Sequence, residues 1–273
     1  MASGDGEREN GRIAAMFDQL APTYDATGVE FFGPIADGLV EVLAPGPRDR
    51  LLDVGCGRGA VLSRIAPLVE EAVGIDVSQR MVELARESLD GASNVRVEMG
   101  DAQRPDPELG AFDSVTASLV LFFLPDPVAA LRAWRALLAA GGRCAISIFG
   151  RPGAGWQAVD EAFLPYLPSG MRDARAEGPL SPRSTDEQAE ALLTAAGFTG
   201  VRTISRRLHT RFATVEQWEA FSWSTGQRAM WAAMPEADRP ALRAAVAGLL
   251  RSSPHPDGGY VLSQDVRYLI GHT

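Results

Sequence analysis

Apolar residues first recur at helical spacing in "RIAAMFDQLA", where Ile13, Met16, Phe17 and Leu20 fall at i, i+3, i+4 and i+7 and share one helix face. A second helix is predicted from Pro34, whose fixed φ suits a first turn, to about Leu43, and "APGPRDR" then breaks the chain. From Arg50 to Gly150 the pattern changes. Five short apolar runs, "RLLDVG", "EAVGID", "NVRVEMG", "FDSVTASL" and "RCAISIF", read as strands. Amphipathic helices are predicted near 60–69, 78–89 and 127–139, with Ser78 placed to cap the second and Asp126-Pro127 opening the third. This regular β-α-β alternation predicts an α/β fold with a doubly wound, mostly parallel sheet.

Beyond residue 150 the pattern is less regular. "RPGAGWQAVDEAFLPYLPSG" reads as a short helix over a loop, and "STDEQAEALLTAAGFTG" as a capped helix ending at Gly197. A strand follows near 199–208. "TVEQWEAFSWSTGQRAMWAAM" and "RPALRAAVAGLLRSS" read as two more helices, and "GGYVLSQDVRYLIG" as a final strand. No internal repeat or low-complexity segment is evident. The chain thus divides into a polar tail over 1–12, N-terminal helices over 13–45, an α/β core over 46–150 and a C-terminal part over 151–273. That last part carries a helical insertion near 210–258.

Composition narrows the function classes. With 273 residues, 46% of them hydrophobic, the chain suffices for one large domain with a subdomain. No run approaches the roughly 18 apolar residues of a membrane span, and the polar start "MASGDGERENGR" lacks a secretory h-region, so a cytoplasmic location is expected. The formal net charge of -9 offers no basic footprint for nucleic acid. All 26 basic residues are arginine, which fits the codon bias of a GC-rich bacterial genome and excludes lysine-based catalysis. Cys56 and Cys144 form no disulfide framework, and with His209, His255 and His272 they show no metal-ligand spacing, so no metal is expected.

The candidate chemistry centres on "LLDVGCGRGAVL". A strand running into a glycine turn lets backbone N–H groups approach a ligand closely, because no Cβ stands in the way. Gly55, Gly57 and Ala60 satisfy the dinucleotide pattern G-x-G-x-x-G/A, whereas Gly55, Gly57 and Gly59 satisfy a tighter turn. Asp53 at the strand mouth argues against a pyrophosphate, since its carboxylate would repel one yet attract an ammonium. Asp76, 21 residues after Gly55, stands where a carboxylate accepts hydrogen bonds from ribose hydroxyls, a feature shared by NAD and S-adenosylmethionine. Gly100-Asp101-Ala102 ends the third strand and offers Asp101 to an adenine amino group.

Taken in order, D-V-G-C-G-R-G-A, then G-I-D-V-S with Met81 in the next helix, then G-D-A, resemble the class I S-adenosylmethionine-dependent methyltransferases over residues 50–150. The resemblance implies a Rossmann-like, seven-stranded sheet with strand seven antiparallel between strands five and six. It also implies roles. Asp53 would serve the methionine end of S-adenosylmethionine, with the Gly55–Gly59 turn beneath it. Asp76 would hold the ribose, Val77 and Met81 would flank the adenine, and Asp101 with Ala102 would read it. Ser118 and Leu119 would line the methyl side. "MFDQLAPTYD" further resembles the N-terminal helix of quinone-biosynthesis methyltransferases, in which a Tyr-Asp pair like Tyr24–Asp25 belongs to a lid.

Acceptors are narrowed by what the chain lacks. "SLVLFFLPDP" after the fourth strand is not the N-P-P-Y-type tetrapeptide that grips amines, a lysine-centred ribose-methylating tetrad is impossible, and the cysteines of arsenic methylation are missing. The insertion near 210–258 brings Trp218, Phe221, Trp223, Met230 and Trp231, and is expected to cap a pocket for a small hydrophobic substrate. His209, just past strand six, and His255, just before strand seven, are candidate general bases beside Tyr24. The expected reaction is methyl transfer to an oxygen or carbon of a small hydrophobic metabolite of the natural-product kind, by a monomer or homodimer. A non-methylating cyclisation or decarboxylation on the same fold, or a nicotinamide-dependent oxidoreductase, stands as the alternative.

Overall fold

The computed structural model describes residues 3–167 and 178–273. Helices α1 (Ser3–Leu20) and α2 (Phe32–Leu43) precede a β/α run of β1 (Arg50–Val54), α3 (Leu62–Ile65), β2 (Glu71–Asp76), α4 (Gln79–Ser88), β3 (Val95–Met99), β4 (Phe112–Ser118), α5 (Pro127–Ala136) and β5 (Leu138–Pro152). There follow α6 (Ala154–Phe163), α7 (Asp186–Ala195), β6 (Thr199–Phe212), α8 (Val215–Trp223), α9 (Arg228–Ala233), α10 (Arg239–Arg251) and β7 (Tyr260–His272). The strands form one sheet in the order β3-β2-β1-β4-β5-β7-β6. Strands β1 to β5 are parallel, and β7 runs antiparallel to β5 and to β6 between them.

Alternation along each strand sends its residues to two cores. Leu51, Ala72 and Ala145 face one with α2, α3, α4, α6 and the helices after β6, while Leu52, Val73, Cys144 and Ile146 face the other with α5 and α7. The local signals that start the helices work as their chemistry requires. Ser78 Oγ accepts from Met81 N, Asp126 Oδ1 from Ala129 N, and Thr185 with Gln188 forms a capping box on α7. Gly197, with φ of 95°, turns the chain out of α7.

Four boundaries depart from the sequence reading. The polar segment expected as a tail over 1–12 is helical from Ser3, except that Met1 and Ala2 lie outside the described residues. A polar stretch needs no apolar face of its own when it extends a helix already seated by the half-buried Ile13 and Phe17 and the buried Leu20. The helix expected to reach 139 stops at Ala136, because β5 begins at Leu138 and pairs with Phe112. "TVEQWEAFSWSTGQRAMWAAM" is two helices, broken at Ser224, whose Oγ donates to the Phe221 carbonyl. Strand β6 runs on to Phe212, where the ladder with β7 ends opposite Tyr260. Of the stretch 151–170 expected as helix over loop, α6 is present and residues 168–170 lie outside the described ones.

The insertion between β6 and β7 packs inward. Trp218 and Trp231 are fully buried and the Trp231 indole N–H donates to Ser222 Oγ at 2.7 Å. Phe221 meets Phe31 and Phe212 edge-on at 5.0 and 5.5 Å. Burial of such rings stabilises by about 1.5–3 kcal/mol each, which explains why three short helices hold to the sheet.

A close approach at Gly74 tests this packing. A Cβ there would stand 2.5 Å from Leu62 Cδ1 and 3.0 Å from Cys56 Sγ. Gly74→Ala is therefore expected to cost about 1–3 kcal/mol by overpacking, read as a lowered urea midpoint with unchanged slope.

Candidate active site

The chain leaves β1 toward β2 on one side and later returns to β4 on the other, so a crevice opens at the carboxyl ends of β1 and β4. A cavity of about 610 Å³ lies there. Gly55, Gly57, Asp76, Val77, Met81, Asp101, Ala102, Ser118 and Leu119 line it together, and Tyr24 reaches it from the turn after α1. Four separate loops thus bring nine of the eleven anticipated positions on the α/β core, Leu119 among them, and Tyr24 into one space.

The glycines divide by role. Gly57, with φ of 54°, has open space where a Cβ would stand, so its bare backbone faces the cavity. Gly55, with φ of 68°, is pressed by Val120, and a Cβ would lie 2.6 Å from Val120 Cγ2. Gly59 does not line the cavity. Its φ is 88° and its missing Cβ makes room for Leu89, so it serves the turn and its packing on α4.

Asp76 is buried and accepts from Gly57 N at 2.8 Å through Oδ2 and from Ser78 N at 2.9 Å through Oδ1. Burial raises its carboxyl above the ordinary value, and the backbone donors Ser78, Gly57 and Val77 oppose that rise. Each oxygen keeps lone-pair capacity for a further donor. Asp53 is more deeply buried and does not line the cavity. Its Oδ1 accepts from Thr116 Oγ1 at 2.8 Å, and its Oδ2 has no partner. Burial pushes the Asp53 carboxyl up to about 7, with the Thr116 hydroxyl opposing and the Asp76 charge reinforcing the rise. Asp101 Oδ1 accepts from Gln103 N, and the Ala102 carbonyl accepts from the Trp134 indole N–H at 2.7 Å.

The wall opposite the glycine turn comes from α1 and from the segment after β4. Asn10, Ile13 and Phe17 contribute from α1, and Val120, Phe123 and Leu124 from beyond β4. Helical spacing exposed the face of Ile13 and Phe17, and the side of the sheet that α1 covers was readable only through the resemblance that assigned this helix to a lid. Asp18 fastens the helix. Its Oδ1 accepts from Ser78 Oγ at 2.6 Å and from Arg80 N at 3.2 Å. The Arg58 guanidinium donates to the Tyr24 carbonyl, and the Tyr24 ring stacks on Phe32 at 4.5 Å. Burial, then the charges of Asp25 and Asp76, push the Tyr24 hydroxyl far above its ordinary value, so it stays protonated. Leu119 has φ of 59°, a conformation costly for a branched side chain, and is held by its N–H to the Ser147 carbonyl.

The two histidines lie elsewhere. His209 is inside β6, exposed, with Nδ1 2.8 Å from Ser263 Oγ, and His255 Nδ1 accepts from Asp257 N in the turn before β7. Neither lines this cavity, and neither do the aromatics of the insertion. Among the described residues no group of three His, Cys, Asp or Glu is arranged to hold a metal ion, and no helix is long and apolar enough to cross a membrane.

Comparison with known proteins agrees with this geometry. The sequence pattern described as Methyltransferase domain matches residues 52–146. Nocamycin O-methyltransferase of Saccharothrix syringae is 36% identical over 94% of this chain and 96% of its own length. Aklanonic acid methyltransferase of Streptomyces sp. strain C5 is 36% identical over 59% of this chain and 75% of its own. Among solved structures, the YcgJ protein of Bacillus subtilis superposes with a TM-score of 0.58 at 18% identity, covering 88% of this chain and 98% of its own. The [4+2]-cyclase SpnF has the same TM-score of 0.58 at 21% identity, covering 97% and 96%, a likeness of fold.

The Asp18 contacts hold α1 over the cavity with two hydrogen bonds worth about 0.5–1.5 kcal/mol each. Asp18→Ala is expected to speed amide exchange in the second half of α1 several-fold while the sheet keeps its protection. Equal protection of α1 in the variant would show that the latch contributes nothing.

Proposed function

Since the chain belongs to the class I S-adenosylmethionine-dependent methyltransferases, we propose that it transfers the methyl group to an acidic oxygen of a hydrophobic natural-product-like metabolite. The cofactor, when bound, supplies an electrophilic methyl group on a sulfonium. The chain's own residues supply position and dryness. Asp76, rigid between two backbone donors, has the free lone pairs to accept both ribose hydroxyls. Val77 and Met81 flank the adenine and Asp101 reads its amino group. The bare backbone of Gly57 lets the cofactor lie against the turn. Asp53, with an unpartnered buried oxygen, serves the ammonium directly or through one water.

On the methyl side stand Ser118, Leu119, Phe123, Phe17 and Tyr24, mostly apolar, closing the space to water. The single observation that carries the choice of acceptor is that no described residue on this side can take a proton. His209 and His255 are elsewhere, and the Tyr24 hydroxyl holds its own proton too tightly. Such a site suits an oxygen that arrives ionised, a carboxylate or an acidic enol, for which no base is needed. The activities of the two relatives, a nocamycin O-methyltransferase and an aklanonic acid methyltransferase, support an acceptor of the natural-product class, and the first supports oxygen as the acceptor atom.

Titration calorimetry with S-adenosylhomocysteine and with NAD tests the cofactor roles. Micromolar binding of the first alone is expected. Asp76→Ala removes two charge-assisted hydrogen bonds of about 1.5–3 kcal/mol each, a loss of ~100-fold or more in affinity. Incubation with methyl-deuterated cofactor and carboxylic-acid acceptors then reads a mass gain of one labelled methyl; a product of unchanged mass would instead mark a rearrangement.

The Asp53 carboxyl adds a pH signature. Its value of about 7 in the folded chain lies above the ordinary 3.8, so it favours folding of the free protein fully below about pH 4 and loses that contribution as pH rises through 7. Cofactor binding runs the other way, because only the ionised carboxylate attracts the ammonium. Affinity for S-adenosylhomocysteine is expected to be level above pH 8 and to weaken by up to about tenfold from pH 7 to 6. Asp53→Asn should bind more weakly with no such step; the same step in the variant would remove Asp53 from this role.

A further inference from the structure

The cofactor-side cavity opens beside a larger cleft of about 1980 Å³, more than three times its size. Leu124 lines both. Phe123 faces the cavity and its neighbour Phe122 the cleft, with ring centroids 4.7 Å apart. The two spaces therefore adjoin at the short turn after β4, which lines both.

The cleft is built from elements other than the insertion between β6 and β7. Phe122 stacks on Phe149 of β5 at 5.8 Å and 24°, giving one wall two near-parallel ring faces. Pro125, Pro127, Pro152, Pro179 and Pro182 line it as well, and their fixed φ makes the walls stiff. Its carboxylates are already engaged. Glu161 accepts from Gln157 at 2.7 Å and Asp160 from Gln227 at 2.9 Å. What remains for a ligand is chiefly apolar surface and flat ring faces.

The far wall is held in place by one buried cation. Arg267 of β7, only 4% exposed, donates through Nη2 to the Ser181 carbonyl and Ser184 Oγ at 3.0 Å and to the Phe149 carbonyl at 3.3 Å. Through Nη1 it donates to the Ser184 carbonyl at 2.9 Å. It thereby ties the Phe149 side of the cleft to the segment carrying Ser181, Pro182 and Arg183. A cleft with both walls fastened to one guanidinium is shaped before any ligand arrives.

We propose that this cleft receives the body of the methyl acceptor, and that the acceptor is a planar, mainly apolar multi-ring compound whose reacting oxygen passes the Phe122–Leu124 turn to the methyl group. The inference rests on the cofactor reading above and deepens it by naming the substrate class. It follows from the turn that the two spaces share, the larger volume of the cleft and the stacked ring faces.

Quinizarin, a flat three-ring hydroxyquinone, is the probe. It is titrated by its visible absorbance into protein saturated with S-adenosylhomocysteine, whose own binding is measured by calorimetry in the same preparations. One-to-one binding to the saturated protein is expected. Leu164→Arg changes a cleft residue that is 38% exposed and so should leave the fold intact while weakening quinizarin at least tenfold. Phe149→Ala should weaken it about fivefold, with S-adenosylhomocysteine affinity unchanged in both variants. Quinizarin that fails to bind, that displaces S-adenosylhomocysteine, or that binds both variants as tightly as the parent overturns the inference while leaving the cofactor reading intact. Absence of S-adenosylhomocysteine binding in the parent protein is the separate failure of that reading.

Discussion

One buried carboxylate assembles the site. Asp76, at the end of β2, accepts from Gly57 in the turn after β1 and from Ser78 at the head of α4. Ser78 in turn caps α4 and donates to Asp18 of α1. A chain of four groups therefore joins two strands' ends, a helix start and the covering helix. Burying a charge is costly unless every lone pair finds a donor, and the cost is met here by backbone N–H groups that the strand-turn-helix geometry presents in fixed directions. The arrangement is rigid for the same reason that it is tolerable. It can present the remaining lone pairs to a ligand without reorganising.

Much of this was legible because it is local. The glycine turn, the acid at the end of β2 and the Gly-Asp-Ala at the end of β3 each need only a strand and the few residues after it, so their order in the sequence carries their placement in space. The helix starts at Ser78 and Asp126 were legible on the same ground. What escaped the sequence depends on which distant surfaces meet. Whether Trp218 and Trp231 point into a pocket or into a core cannot be told from helical spacing, and both are fully buried against the rest of the molecule. His209 illustrates the same limit. Its strand was read as ending at 208, but pairing with β7 carries the ladder to Phe212 and turns the histidine outward onto the sheet's edge strand.

The alternative of a nicotinamide-binding protein rested on the same glycines. One observation separates the readings on physical grounds. Asp53 has an unpartnered oxygen buried immediately before the glycine turn, a poor neighbour for a pyrophosphate. Kinship with an O-methyltransferase matched over nearly its full length then agrees with what the turn's chemistry had already favoured.

The position of β7 has a consequence for how the molecule comes into being. It is the latest strand in chain order, yet it lies between β5 and β6, so β6 touches the sheet only through it. Until β7 is synthesised, β6 has no strand to pair with, and the three helices that follow β6 have no finished floor to pack on. The same strand carries Arg267, which fastens the segment around Ser181 and Ser184 to Phe149. Closure of the sheet and the shaping of the larger cleft are thus one event, completed by a single late segment. A nascent chain could hold its cofactor-side half in order well before it could recognise anything in the other half.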